Sequence, residues 1–477
     1  MVFSSILFTF LFLPVVLILY YMIKNDKWRN FVLLISSIGF YAYGEPTFVF
    51  VMIGSILVNY LFARLIDRSD KQATRRFFLI CDVISNLLVF FIFKYLNFSL
   101  KMMNDIFHVG VKVTDIALPI GISFFTFQAM SYVFDVYRKD VEVQKSPFRL
   151  ALYVAFFPQL IAGPIVRYKQ IEEQIRNKRE VSMERFGYGC QRFMIGFCKK
   201  IILANNFSNL AKDQFNILDF AGATHSVIFY WLGAIGYSLQ ILFDFSGYSD
   251  MAIGLGHMFG FSFEENFNYP YIAKSVTDFW RRWHISLSSW FRDYVYIPLG
   301  GSRVKVPRHL FNLFVVWILT GIWHGANYTF IVWGMTYYIF LVLEKYIILP
   351  EKRTKAVQIL WRVVTILLVV FNWVMFNAVG LGQGIHYQMA MLGIYSKNIQ
   401  MFTPEVIRLF RDYLVYLVLG ILAATPVVPA FTKLSEKNKS LKTVLDIVMP
   451  FCMIFAFLWA VSFLIIGAHN PFIYFNF

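Results

Sequence analysis

Long stretches without Asp, Glu, Lys or Arg punctuate the chain, and their lengths predict its elements. Residues 1–23, 30–44, 46–63, 116–134 and 220–243 are each uncharged, and 77–98 is broken only by Asp82 and Lys94. About 20 helical residues cross a hydrocarbon core of about 30 Å, so each of these predicts one helix of spanning or near-spanning length. The runs 309–343, 363–396 and 447–477 are longer. At a rise of about 1.5 Å per residue the first would extend about 52 Å as one helix, so it must fold back or stop short. Gly325 with Asn327 is the breaker signal inside it.

Composition agrees with that pattern. The 477 residues are 58% hydrophobic, 19% aromatic and only 15% charged, with a mean hydropathy of +0.59. Soluble domains carry about 25% charged residues, so this chain reads as a polytopic, all-α membrane protein. Its formal charge of +16 fits basic cytoplasmic loops beside anionic headgroups, and nucleic-acid binding is set aside. No basic region precedes Lys24, so residues 1–23 are expected to remain as the first span and not to be a removable signal peptide. Cys81, Cys190, Cys198 and Cys452 lack metal-ligand spacing and read as packing residues, with no metal implied.

The basic loops orient the spans. Arg64, Arg68, Lys71, Arg75 and Arg76 place one loop in the cytoplasm; counting back puts the Lys24–Arg29 loop there too and the N-terminus outside. Counting forward puts the 138–149 loop inside. Residues 150–166 would then carry the chain outward, yet they lead into basic Arg167, Lys169, Arg176, Lys178 and Arg179. Pro158, Gly163 and Pro164 suit a re-entrant segment that returns to the cytoplasmic side, and irregular backbone at that depth is tolerated where protein buries it. No internal repeat of the transporter kind is visible.

Two histidines stand out. His324 sits near the middle of the 309–343 run, where an ionisable side chain is a functional-site hypothesis by default. The bland alternative is a buried imidazole bonded to a carbonyl. His284 lies forty residues earlier, in a stretch too charged to span and too aromatic for a solvated loop. On one short interfacial helix Trp280, Trp283, His284, Leu287 and Phe291 would share a face, and Arg281, Ser288 and Arg292 another, the helix stopping at Pro298 and the glycines that follow. One reading is an aromatic belt with snorkelling arginines. The other is an anion-binding rim of Arg281, Arg282, Arg292, Arg303, Lys305 and Arg308 for the phosphates of coenzyme A or phosphopantetheine.

These residues also carry a family resemblance. Asp278-Phe-Trp-Arg-Arg-Trp-His284-Ile-Ser-Leu-Ser-Ser-Trp-Phe-Arg-Asp-Tyr294, then Tyr296-Ile-Pro-Leu-Gly-Gly301 and Trp323-His-Gly-Ala-Asn327, resemble the paired signature of the membrane-bound O-acyltransferases. Pro119-Ile-Gly-Ile-Ser-Phe-Phe-Thr-Phe-Gln128, Leu160-Ile-Ala-Gly-Pro-Ile165, Phe243-Asp-Phe-Ser-Gly-Tyr-Ser-Asp250 and Asn266-Phe-Asn-Tyr-Pro-Tyr271 are similar too. The resemblance covers nearly the whole chain, and both ends match the bacterial alginate O-acetylation branch.

The resemblance implies a single domain over 1–477, a helical bundle with re-entrant and interfacial helices around a central tunnel. It implies an O-acyltransferase of the bacterial inner membrane that moves an acetyl group from a cytoplasmic thioester toward an exported or cell-wall polysaccharide. His324 matches the family's essential histidine and His284 a second functional one. The donor would be acetyl-CoA or another acyl thioester, with no bound cofactor. The partners would be membrane lipids, an extracytoplasmic SGNH-type (AlgJ/AlgX-like) acetyltransferase and, as an option, an acyl carrier protein.

A neutral imidazole with an ordinary pKa of about 6.5 suits general-base work, and an acetyl-imidazole intermediate is the open alternative. Asn327, the Trp323 indole or backbone N–H groups would stabilise the oxyanion, and Gly325 would leave room for substrate. Arg281, Arg282, Arg292, Trp283, Trp323, Asn327, Asp244 and Tyr248 are the candidate substrate contacts. The polar cluster from Asp244 to Asp250 is expected to follow the 220–243 helix and to pair with the arginines of 278–292. Asp135 is expected to pair with Arg138, while His108, His225, His257, His309, His386 and His469 read as interfacial or packing residues. The rival functions are a DltB-like D-alanyl transferase and a lipid or glycan transporter.

Overall fold

The computed structural model describes all residues except 115, 162, 178, 217–224, 350–352, 395–400, 468–469, 471 and 474–477, so His469 lies outside the described residues. The regular structure among the described residues is all helical, with no strand. Seven helices are long and apolar enough to cross a membrane, and Pro404–Ala423 with Val427–Ser435, bent by 63° at their break, qualify together as an eighth. The protein is therefore an all-α, multi-pass membrane protein. Its chain divides into two compact units, residues 1–193 with 248–265 and 289–295, and residues 194–247 with 266–288 and 296–477.

In the first unit, Asn25 accepts hydrogen bonds from the N–H groups of Lys27 and Trp28 and so starts the helix Asp26–Gly44. Val49–Arg68 follows as a span, and Gln72–Phe107 runs unbroken for 36 residues, well beyond the expected 77–98. Residues 1–23 yield only the short apolar helix Phe8–Met22, because the first residues instead fold into a phenylalanine cluster: Phe3 lies 4.8 Å from Phe8 and 5.7 Å from Phe40. Residues 150–166 do not form a straight helix. Pro147–Ala155 stops where Phe156 takes φ −55° and ψ 110°, a single turn Phe157–Leu160 follows, and the described residues from Ile161 to Arg167 are buried and form no further helix.

Two expected charge pairs in this unit are replaced. The Tyr294 hydroxyl donates to Asp135 at 2.7 Å, and Arg138 donates to the Asp293 carbonyl at 3.1 Å, because segment 289–295 packs on helix Ile122–Arg138. Trp290 completes that packing, stacked 3.9 Å from Phe127. Asp250 pairs with Arg192 at 2.6 Å, and Arg192 reaches Glu265 at the same distance.

In the second unit the 309–343 run breaks where expected. Helix Val306–His324 ends at Gly325, and the Asn327 side chain accepts from the Thr329 N–H to start Tyr328–Leu343. The 363–396 run divides into Lys355–Asn377 and Leu381–Met391, and the last run contributes to Lys439–Ile465. The helix begun in 220–243 does not stop at Asp244 but continues as Val227–Met258, so the polar cluster lies inside it.

Asp244 consequently meets different partners from those expected. Lys200 pairs with it at 2.6 Å, both side chains almost fully buried, and the Ile473 N–H donates to its other oxygen at 2.8 Å. Lys200 also donates to Asn205 at 2.8 Å. Asp244 thus ties the chain's C-terminal segment to the long helix. Removing one partner of a buried pair strands the other charge, so Asp244→Ala should destabilise the protein by about 3–5 kcal/mol. A thermal melt in detergent measures this, and an unchanged Tm would show that the pair is not a stabilising tie.

Candidate functional site

The chain around His284 is two helices, not one. Val276–Arg282 ends, Trp283 is extended, His284 takes φ +43°, and Ile285–Phe291 begins. A left-handed non-glycine residue costs on the order of 1–3 kcal/mol, so the surroundings must impose it. The segment at 266–268 does so from both sides. Asn268 N–H donates to the Arg282 carbonyl at 2.9 Å, and Ile285 N–H to the Asn266 carbonyl at 3.0 Å. The break removes the shared face expected from helical spacing and turns the imidazole independently of Trp280.

The side chain of Asn266 then fixes the imidazole's protonation. Its oxygen accepts from Ser286 N–H at 3.1 Å and Ser286 Oγ at 2.9 Å, and it lies 3.3 Å from His284 Nδ1. A backbone N–H can only donate, so that atom of Asn266 is the oxygen. Ser286 Oγ, 3.4 Å from the same Nδ1, gives its own proton to Asn266, so Nδ1 faces two acceptor oxygens and carries the proton, which leaves the lone pair on Nε2. Nε2 is buried and has no hydrogen-bond partner among the described residues. The segment belongs to none of the spanning helices, and burial pushes the His284 imidazole down to about 3, so it is neutral near pH 7.

His324 is the last residue of its helix and is 4% exposed. Trp323, Trp333 and Phe376 surround it, with ring centroids at 5.0, 5.1 and 5.1 Å. Trp323 also lies 5.9 Å from the His284 ring, whose other side meets Phe245 at 4.6 Å. Residues forty apart in sequence thus share one indole. Helices Val306–His324 and Tyr328–Leu343 approach closely because Gly321 and Gly334 face backbone: a Cβ there would sit 2.5 Å from the Phe330 carbonyl and 2.6 Å from that of Trp317. Gly325 is required for a different reason from the one expected. A Cβ on it would fall 2.2 Å from the Phe330 ring, so a protein side chain fills the space assigned to substrate.

The remaining candidates divide. Asn327 caps helix Tyr328–Leu343 through its side-chain oxygen, and its amide donates one N–H to the Val379 carbonyl at 2.8 Å. Trp283 is core, stacked on Phe279 at 5.6 Å and set against Trp373 at 4.9 Å. Arg282 pairs with Asp278 at 2.9 Å, whereas Arg281 is exposed and forms no ion pair among the described residues. Arg292 belongs to the first unit and pairs with Asp293 at 2.7 Å, which also bonds Arg167. Tyr248 is in the first unit as well, stacked on Phe3 at 4.4 Å, and Asp244 serves the C-terminal tie.

Two other histidines are better connected than expected. His309 lies between the hydroxyls of Tyr296 and Tyr346 at 2.7 and 2.6 Å, and His225 meets Glu405 at 2.8 Å. His108 is an exposed helix end, His257 packs against Tyr188, and His386 bonds its own helix. Asn266, Phe245, Trp333 and Phe376 were not singled out from sequence as site residues. Asn266 opens one of the quoted motifs, which was the available signal; Phe376 follows His324 by 52 residues and gave none.

Comparison with known proteins bears on what such a site does. The sequence model described as "MBOAT, membrane-bound O-acyltransferase family" matches residues 76–382, which include both histidines. A protein of Pseudomonas aeruginosa named "Probable alginate O-acetylase AlgI" is 45% identical over 79% of this chain and 72% of its own length. A "Peptidoglycan O-acetyltransferase" of Helicobacter pylori is 34% identical over 83% of this chain and 80% of its own. A "Teichoic acid D-alanyltransferase" of Bacillus subtilis is 30% identical over 54% of this chain and 67% of its own. Since the family match spans well over half of the sequence and both histidines fall inside it, the chain belongs to the membrane-bound O-acyltransferase family and is an O-acyltransferase.

Proposed function

We propose that this enzyme takes an acetyl group from a cytoplasmic thioester, acetyl-CoA or an acylated carrier protein, and passes it across the bacterial inner membrane for O-acetylation of an exported or cell-wall polysaccharide. The observation that carries this reading is the pair of buried histidines set against Trp323 where a spanning helix breaks. The names of the P. aeruginosa and H. pylori relatives, which this chain matches over most of its length, favour acetyl over D-alanyl.

In this reading His324 is the general base. Its imidazole takes the acceptor's hydroxyl proton as that oxygen attacks the thioester carbonyl carbon. Backbone N–H groups or the Trp323 indole stabilise the tetrahedral oxyanion. The intermediate collapses with cleavage of the C–S bond, and the thiolate recovers the proton from the imidazolium. His284, neutral and fixed in one tautomer, orients a substrate through Nε2. Exposed Arg281 meets donor phosphate, and an extracytoplasmic SGNH-type partner places the acetyl group on the sugar.

Radiolabelled acetyl-CoA supplied to inside-out vesicles containing the enzyme and its partner should label glycan product. Labelling only from a D-alanyl carrier thioester, or no labelling from either donor, would overturn the acetyl reading.

A further inference from the structure

We propose that Glu344 is the positioning residue that holds the two histidines in register. This rests on the His324-centred reading above. Glu344 lies where helix Tyr328–Leu343 passes into a wider turn, and its side chain is 4% exposed. A buried carboxylate is expensive unless its lone pairs are filled, and here four donors fill them. Oε2 accepts from Val276 N–H at 2.7 Å and from the Trp361 indole at 2.9 Å. Oε1 accepts from Thr277 N–H at 3.0 Å and from the Thr277 hydroxyl at 2.5 Å.

Those donors belong to two segments that build the site, and Glu344 itself belongs to a third. Val276 and Thr277 open the helix whose Trp280 packs 5.6 Å from Trp333 and whose end delivers Trp283 and His284. Glu344 continues the helix whose Trp333 packs on His324. Trp361 is on helix Lys355–Asn377, which supplies Trp373 against Trp283 and Phe376 against His324. One carboxylate therefore pins all three aromatic walls, and the histidines inherit their separation from it. Of the four donors only the Thr277 hydroxyl could turn to accept from an amide, so Glu344→Gln must set an NH2 either against the Val276 N–H and the Trp361 indole or against the Thr277 N–H.

The test is Glu344→Gln in the full-length membrane enzyme, with Trp361→Phe, which removes a single donor, as the milder variant. Misplacing reacting groups slows the chemical step without touching the donor's own contacts, so Glu344→Gln should lower kcat on the order of tenfold to a hundredfold. Donor KM should stay within about twofold, since uniform binding is unaffected. Trp361→Phe should lower kcat roughly two- to tenfold, in keeping with one lost hydrogen bond. Wild-type kcat in Glu344→Gln would overturn the proposal, and so would a Glu344→Gln protein that fails to fold while Trp361→Phe keeps full kcat. Acetyl transfer by a His324→Ala control would instead overturn the underlying reading, which keeps the two failures distinct.

Discussion

Replacing His324 with alanine should reduce glycan O-acetylation to background, while expression and monodispersity in detergent stay near wild type. Trp323, Trp333 and Phe376 carry no group that titrates near neutral pH, so these aromatic walls cannot take over a proton from the imidazole. General-base assistance contributes roughly 10²–10⁴-fold, and its loss would place the transfer below detection in cells. The cage itself should survive. Phe330 on Phe376 at 4.9 Å and Trp333 on Trp373 at 5.9 Å do not depend on the histidine, so the folded state retains most of its aromatic contacts. The measurement is O-acetyl content in cells carrying the variant, beside size-exclusion profiles of the purified protein. Acetylation at the wild-type level would remove His324 from the chemistry and with it the central claim.

The break that frames His324 was legible in the sequence and the break that frames His284 was not, for a physical reason. Gly325 and Asn327 interrupt an apolar run too long for one span, so local composition and membrane thickness agree on where it turns. Nothing between Asp278 and Arg292 breaks a helix locally. His284 leaves it because Asn266 and Asn268, from another segment, capture the backbone on both sides. Helical periodicity cannot register such a tertiary override.

The charged residues carry a similar lesson. Local spacing pairs Asp135 with Arg138, and the sequence pairs Asp244 with the arginines of 278–292, yet their partners are Tyr294, Lys200 and the backbone at Ile473. The bent pair Pro404–Ala423 and Val427–Ser435 escaped the run-length ruler because Glu405, Arg408, Arg411 and Asp412 charge its first half. The 150–166 segment was readable because Pro158, Gly163 and Pro164 rule out a straight span whatever packs around them. Sequence supplies the stops that glycine, proline and run length impose, as at Gly325 and Pro158, but not the break at His284 or the continuation of Val227–Met258 past Asp244; which side chains then meet depends on contacts dozens of residues away.

Asn266→Ala should lower activity on the order of a hundredfold, most of what His284→Ala itself removes. Alanine takes away the acceptor that holds the proton on His284 Nδ1, freeing the ring to adopt the other tautomer and to rotate. It also leaves the Ser286 N–H without its partner, at a cost of about 1–3 kcal/mol, so the left-handed turn should loosen. Asn266→Asp separates these effects. A carboxylate accepts the same three hydrogen bonds, so the turn and the tautomer should persist, but its negative charge favours the imidazolium and raises the His284 pKa from its depressed value. Activity of that variant should therefore approach wild type at alkaline pH and fall as pH is lowered through the new pKa. The wild-type enzyme, with His284 held neutral far below neutrality, should show no such limb from this residue. A double-mutant cycle completes the case: in a His284→Ala background Asn266→Ala should add little, because both act through one imidazole. Full additivity of the two losses would mean that Asn266 serves the fold alone, and that the neutral, Nδ1-protonated state of His284 is not what the site uses.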